Sequence, residues 1–257
     1  MPPPALRLRG VSRRFGRGPE VLRGVDLDVE PGQVVLLRGG NGSGKTTLLR
    51  VAAGILAPDA GSAERFGPVG YQPQTGGEPP PRLAVRTWLG FTTGRRREEA
   101  CRMLAELGGP APHRPLAELS GGSLAKVLLA SALTAGTGLA VLDEPFAALD
   151  AGSVPVAARL VTRAAERGAA VLLTDHGAAA ADLAGVVADL AGGAVTASRA
   201  VAGDGAEASW HLLLRRPGQV ARAVVVPARE RDATLLAVLS SGGEVLAVRE
   251  APPREVP

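Results

Sequence analysis

The residues best suited to chemistry gather in Gly39-Gly40-Asn41-Gly42-Ser43-Gly44-Lys45-Thr46-Thr47, which matches the phosphate-binding pattern G-x-x-x-x-G-K-[ST]. Glycines let the backbone bend until successive N–H groups point at a polyphosphate, and a following helix N-terminus adds partial positive charge. Lys45 can then reach the outer phosphates, and the Thr46 hydroxyl can ligate Mg2+. A second group follows the apolar run Leu139 to Leu142, which ends in Asp143-Glu144-Pro145. Asp143 at the carboxyl end of a parallel strand is where the Mg2+ of a nucleotide would be held. Glu144, one residue on, is placed to orient or deprotonate an attacking water. Leu119-Ser120-Gly121-Gly122 reads as a turn at a helix N-terminus, a second phosphate site that is weak taken alone. The apolar run Ala169 to Thr174 ends in Asp175-His176; a lone histidine is usually structural, yet one here could hydrogen-bond a terminal phosphate. Phe15 either stacks on a base or fills the core, and spacing leaves the two even.

These residues need elements to hold them. Gln33 to Leu37, bounded by Pro31-Gly32 and by glycines, reads as a buried strand, and Leu48 to Leu56 has helical spacing that stops at Pro58. Strand, glycine-rich loop and helix is the setting that the phosphate pattern requires. Upstream, Leu6 to Leu8 and Glu20 to Val29 alternate as an antiparallel β layer. Pro58 to Gly61 reads as a turn, with a short strand or two ending at Gly70-Tyr71-Gln72-Pro73-Gln74. A Gly/Pro-rich loop from Thr75 to Arg82 leads into helical spacing over 83–91 and 95–107, a small insertion reaching about Pro115. Helices are expected over 124–133 and about 154–167. From about Gly203 the pattern changes: 210–214, 220–226 and 244–248 read as strands, with 231–239 helical.

The totals bound the class. A chain of 257 residues that is 46% hydrophobic, 21% charged and 3% aromatic is globular, with an aliphatic, alanine-rich core. The net charge of +4 is almost all arginine, since Lys45 and Lys126 are the only lysines. That balance suits a polyphosphate, an anionic membrane or nucleic acid without choosing among them. The single Cys101 excludes an intrachain disulfide and fits a reducing compartment. Met1-Pro2-Pro3-Pro4 lacks the apolar stretch of a signal peptide, and the Ala-rich region 154–201 is too broken by charge to span a membrane.

In combination the motifs resemble the ATP-binding subunit of an ABC transporter, over roughly residues 5 to 200. The Leu-Ser-Gly-Gly signature just before the Asp143-Glu144 strand separates that family from other phosphate-loop proteins. The resemblance implies an α/β fold: a P-loop NTPase core with a parallel sheet, an antiparallel β subdomain at the N-terminus, and a helical subdomain carrying the signature. The ATP-binding domain is expected over 1–202, its helical subdomain over about 75–135, and 203–257 as a small C-terminal α/β appendix or extension. By the same resemblance Phe15 stacks on adenine; Gly39, Gly40, Asn41, Gly42, Ser43, Gly44, Lys45, Thr46 and Thr47 hold the phosphates. Thr46, Gln74 and Asp143 attend Mg2+, Glu144 is the general base and His176 the switch histidine, with Lys45 and Gln74 assisting catalysis. Ser120, Gly121 and Gly122 meet ATP on a second protomer, and Asp150 belongs to the interface loop. ATP and Mg2+ are therefore the expected cofactors. The implied partners are a transmembrane permease subunit and a second ATP-binding subunit, a copy or a paralogue, with no nucleic acid. The chain is then cytoplasmic, peripheral on the inner face of the cell membrane. The short helical insertion leans modestly towards an exporter. The alternative is a soluble ABC-type ATPase acting on ribosomes or DNA. One departure is Ser123, where the signature usually continues with glutamine.

Overall fold

The computed structural model describes residues 3–74, 82–175 and 177–200, and further on 209–215, 222–227, 235, 238–239 and 244–250. The chain divides into two compact units, Met1–Val201 and Ala202–Pro257. In chain order the first unit runs β1 (Leu6–Arg14), β2 (Glu20–Val29), β3 (Val34–Arg38), α1 (Lys45–Ala52), β4 (Ala60–Arg65) and β5 (Val69–Gln72). It continues through α2 (Val85–Thr93), α3 (Arg97–Glu106), α4 (Gly121–Ala135), β6 (Leu139–Asp143) and α5 (Ser153–Glu166). It closes with β7 (Ala170–Thr174), α6 (Ala178–Leu183), β8 (Val186–Ala191) and β9 (Ala194–Ala200).

Short apolar runs that are buried on both faces favour parallel pairing. The central sheet has the order β5-β6-β7-β3-β8-β9, with β5 through β8 parallel and β9 antiparallel to β8. Alternate residues serve two cores. Val35, Leu37, Val141 and Leu172 pack with Leu48, Leu49 and Val51 of α1 and with Leu6, Leu8 and Val25 of the antiparallel sheet β2-β1-β4. Leu36, Leu142, Val171 and Leu173 face Leu89, Leu104, Leu129 and Leu160 on α2 to α5. The expected α/β architecture is therefore present, with the antiparallel β layer on one face and the helical insertion on the other.

Several boundaries differ from the sequence expectation. Helix α1 spans Lys45–Ala52 rather than 48–56, because the chain turns at Gly54, well before Pro58. There the Ile55 and Leu56 N–H groups both donate to Arg50 O, at 2.9 and 3.1 Å. Arg65 closes the same end, donating Nε to Ala52 O at 2.7 Å and Nη2 to Val51 O, which satisfies carbonyls left open at a helix C-terminus. Ala60 and Gly61 belong to β4 rather than to a turn. Helix α4 starts at Gly121, earlier than expected, since Ser120 caps it. The β8–β9 hairpin was missed in an alanine-rich stretch, although Gly192-Gly193, with φ 58° and 85°, makes a two-residue turn between its strands.

The second unit contains β10 (Ser209–Arg215), β11 (Arg222–Pro227) and β12 (Glu244–Glu250), with both neighbours antiparallel to the central β10. Most of the helix expected over 231–239 lies outside the described residues.

Strand β5 lies unusually close to α4. A Cβ placed on Gly70 would sit 1.9 Å from Ala132 O and 2.7 Å from Ala132 C, both backbone atoms that cannot step aside. Gly70→Ala is therefore expected to destabilise the fold by about 2–3 kcal/mol through overpacking. The check is a lowered urea midpoint at an unchanged m-value.

Candidate functional site

Parallel strands in register deliver their following loops to one edge. Gln72 pairs with Leu142, Asp143 with Thr174 and Leu36 with Leu173, so β5, β6, β7 and β3 end at nearly one level. Gln74, Glu144, Asp175 and the loop from Gly39 to Gly44 leave from that edge. This is the carboxyl edge at which α/β sheets bind ligands.

The glycine loop is tightly folded. Gly44 has φ 103°, and a Cβ there would lie 3.0 Å from Val21 O, so both conformation and space call for glycine. Lys45 Nζ donates to Gly39 O at 2.7 Å and to Gly40 O at 3.1 Å, which folds the ammonium back over its own loop. Ser43 Oγ is buried without a hydrogen-bond partner. Thr46 and Thr47 are half-buried in the first turn of α1, and Asn41 and Gly42 are exposed. A cavity of about 380 Å³ opens beside them, lined by Arg38, Gly39, Lys45, Asp175 and Gly177 among others. None of Ser120, Gly121 and Gly122 lines it.

The acids are linked by hydrogen bonds. Asp143 is 2% exposed; Thr174 Oγ1 donates to its Oδ1 at 2.7 Å, while Oδ2 has no partner. The Glu144 N–H donates to both Thr174 O, at 3.0 Å, and Thr174 Oγ1, at 3.1 Å. Gln74 Nε2 donates to Glu144 Oε2 at 2.7 Å. Gln74, Glu144, Thr174 and Asp143 thus form one connected chain. Glu144 holds φ 51°, the one non-glycine residue with positive φ among the described residues. For a long side chain this conformation is strained and persists because the surroundings hold it. Asp175 accepts from Gly177 N at 2.6 Å and Phe146 N at 3.4 Å, tying the turn after β7 to the segment after Glu144.

The signature residues lie elsewhere. Ser120 Oγ accepts from Ser123 N at 3.3 Å and donates to Ser123 Oγ at 3.0 Å, so Ser123, in place of glutamine, helps to cap α4. Ser120 and Gly121 are exposed at this helix N-terminus. Asp150 accepts from Ser153 N at 2.9 Å, and Lys126 Nζ lies 3.0 Å from its Oδ2. Hydrogen bonding from Lys126 and then Ser153 pushes the Asp150 carboxyl down to about 2. Phe15 is 49% exposed, which removes the core reading, and the Arg13 guanidinium stands 5.2 Å from its ring centroid. Cys101 is half-buried among apolar groups, and burial pushes its thiol up, away from the reactive thiolate. His176 lies outside the described residues.

Sequence reasoning missed Thr174 and Lys126. Thr174 was visible only as the last residue of an apolar run, and Lys126 as one of two lysines.

Comparison with known proteins gives the family and the fold. A family model described as ABC transporter matches residues 22–147. The zinc import ATP-binding protein ZnuC of Pseudomonas fluorescens Pf0-1 is 42% identical over 178 residues, covering 66% of this chain and 67% of that protein. Its namesake in Paramagnetospirillum magneticum AMB-1 is 39% identical over 181 residues, covering 66% and 67%. Among solved structures, an ATP-binding subunit of an ABC transporter superposes with TM-score 0.67 at 24% identity, covering 77% of this chain and 90% of that one. A dimeric post-hydrolysis ATP-binding cassette bound to ADP and phosphate gives 0.67 at 21%, covering 77% and 99%. The relatives are named for import, against the exporter lean drawn from the helical insertion. Insertion length is a poor guide to direction, because one ATPase fold serves many tasks.

The strain at Glu144 has a measurable consequence. Glycine adopts φ 51° freely and alanine does not, so Glu144→Gly is expected to be about 1 kcal/mol more stable than Glu144→Ala. Paired chemical denaturation of the two variants checks this.

Proposed function

The chain belongs to the ABC transporter ATP-binding family, and from that premise we propose that it drives import of a metal ion, zinc by its named relatives, through a separate permease. It is an ATP-binding, ATP-hydrolysing subunit of an ABC transporter. The carrying observation for the site is the connected chain Gln74–Glu144–Thr174–Asp143 on the sheet edge that also bears Lys45. Direction and cargo are supported by the 42% identity to a zinc import relative.

In this reading Gly39 to Thr47 wrap the phosphates, and Lys45 exchanges its two loop carbonyls for the outer phosphates. A phosphate offers the ammonium full charge where a carbonyl offers a dipole. Phe15, exposed and beside Arg13, takes the adenine ring. The unpartnered Oδ2 of buried Asp143 fits a divalent cation, because a buried carboxylate oxygen is costly to leave without a donor or a metal. Asp143, Thr46 and Gln74 would hold Mg2+, whose chemistry there is neutralisation of developing phosphate charge. Glu144 then acts as general base: its Oε2 accepts from Gln74 at 2.7 Å, and turning Gln74 away gives that lone pair to water. His176 attends the γ-phosphate.

Ser120, Gly121 and Gly122 do not line the cavity beside Lys45, which supports a composite site completed by a second copy or a paralogue. Asp150 belongs to that interface. Removal of the bridging γ-phosphate lets the pair open and gives the permease its two states. In this reading the chain sits peripherally on the cytoplasmic face, held by the permease; among the described residues no helix is long and apolar enough to cross a membrane.

Glu144→Gln is expected to reduce turnover at least about 100-fold while trapping an ATP-dependent dimer by size exclusion. Wild-type turnover in that variant would remove the general-base role. Disruption of the gene should lower cellular zinc accumulation, restored by the wild-type chain and not by Glu144→Gln; unchanged zinc uptake would remove the cargo.

A further inference from the structure

Phe15 is exposed, yet its ring is not free. Arg13 lies in β1 and Phe15 just past its end, two positions on, so both side chains leave the same face of the extended chain. The Arg13 guanidinium carbon stands over the Phe15 ring, 5.2 Å from its centroid, where a planar cation is attracted to the ring face. Asp59, just before β4, keeps it there. Its Oδ1 accepts from Arg13 Nη1, and its Oδ2 accepts from the Arg14 N–H at 2.7 Å. The Asp59 N–H in turn donates to Ser12 O at 2.9 Å. One aspartate thus grips the guanidinium and the strand that carries it. Arg13 Nε is buried with no acceptor, an arrangement that costs stability and is retained all the same.

The same strands set the pair beside the phosphate loop. Arg13 is opposite Leu22 in the β1–β2 register, which shifts on either side of Arg13, and such irregularities re-aim side chains. A Cβ on Gly44 would lie 3.2 Å from Leu22 Cδ2, so Arg13 is one strand removed from the tightest turn of the loop. Past the ring, Gly16 with φ 57° turns the chain, and Gly18 N donates to Phe15 O at 3.2 Å. We infer that Arg13 is a positioning residue for nucleotide binding: locked by Asp59, it covers one face of the Phe15 ring and holds the other ready for the base. The inference rests on the reading that Phe15 takes adenine. A ring ordered in advance loses less freedom when the base arrives. Because the base is far from the transferred phosphate, this contribution enters ground state and transition state alike, so it belongs to KM and not to kcat.

The test measures binding of ATP and of inorganic tripolyphosphate to the full-length chain by calorimetry, with steady-state ATP hydrolysis and thermal unfolding alongside. Tripolyphosphate carries the phosphates without the base. Arg13→Met keeps the apolar stem and removes the planar charge. It is expected to weaken ATP binding about fivefold and to raise KM in step, with kcat within about twofold of wild type. Tripolyphosphate affinity and Tm should stay near wild type. Phe15→Ala should weaken ATP about tenfold, and adding Arg13→Met to it should cost less than about twofold more, as for two members of one pair. Wild-type ATP affinity in Arg13→Met would overturn the positioning role. So would a loss shared equally by ATP and tripolyphosphate, the pattern of a damaged phosphate loop, and so would an undiminished fivefold loss in the Phe15→Ala background. Wild-type ATP affinity in Phe15→Ala alone would instead remove the adenine role of Phe15, a failure of the parent reading that shows without any change at Arg13.

Discussion

Strand β7 between β3 and β6 is the pairing that the site depends on. Its register sets Thr174 opposite Asp143 and Leu173 opposite Leu36, so the end of β7 lies between the phosphate loop and the acidic pair. The Thr174 hydroxyl can then donate to Asp143 and accept from the Glu144 N–H at the same time. A slip of one residue would turn that hydroxyl to the opposite face and bring a leucine in its place. The apolar residues of β3, β6 and β7 forbid the slip, because alternate positions are committed to two different cores. The hydrogen-bonded chain of Gln74, Glu144, Thr174 and Asp143 is held here by hydrophobic packing several residues away.

The same edge also holds strain. Glu144 keeps a left-handed backbone, worth on the order of 1–3 kcal/mol, against the hydrogen bonds that its N–H and carboxylate make. That backbone lifts the side chain out of the strand direction, into reach of Gln74. Beyond it, the 145–150 backbone packs on α4, and Arg65 fastens the antiparallel sheet to the end of α1. The β layer is thus joined to the far end of the phosphate helix, and the helical insertion to the loop after Glu144, by named contacts.

Much of this was legible. The phosphate loop, Asp143 and Glu144 could be read because their chemistry is local: a strand, a turn and a few residue types in a fixed order. The two-faced sheet could be read because its strands are apolar without alternation. The β8–β9 hairpin was overlooked in an alanine-rich stretch, although its two-residue Gly192-Gly193 turn, both with positive φ, is a local hairpin signal. Helix α1 ended early because Gly54 and Arg65 supply a C-terminal cap, and Arg65 is remote in sequence. The exporter lean stands against relatives named for import, and it was weak from the start because direction belongs to the partner, not to the ATPase.

By itself the sequence singled out which residues have the chemistry to bind phosphate, carry metal and move a proton, since that chemistry depends on residue type and short-range order. It also determined that Ser120 to Gly122 head a helix. Only the tertiary structure decided that Thr174 joins the two acids, that Gln74 rests on Glu144, that Phe15 is exposed, and that Lys126 reaches Asp150. Those are contacts between residues far apart in the chain. Their partners are chosen by strand order, register and helix packing, which no local pattern encodes.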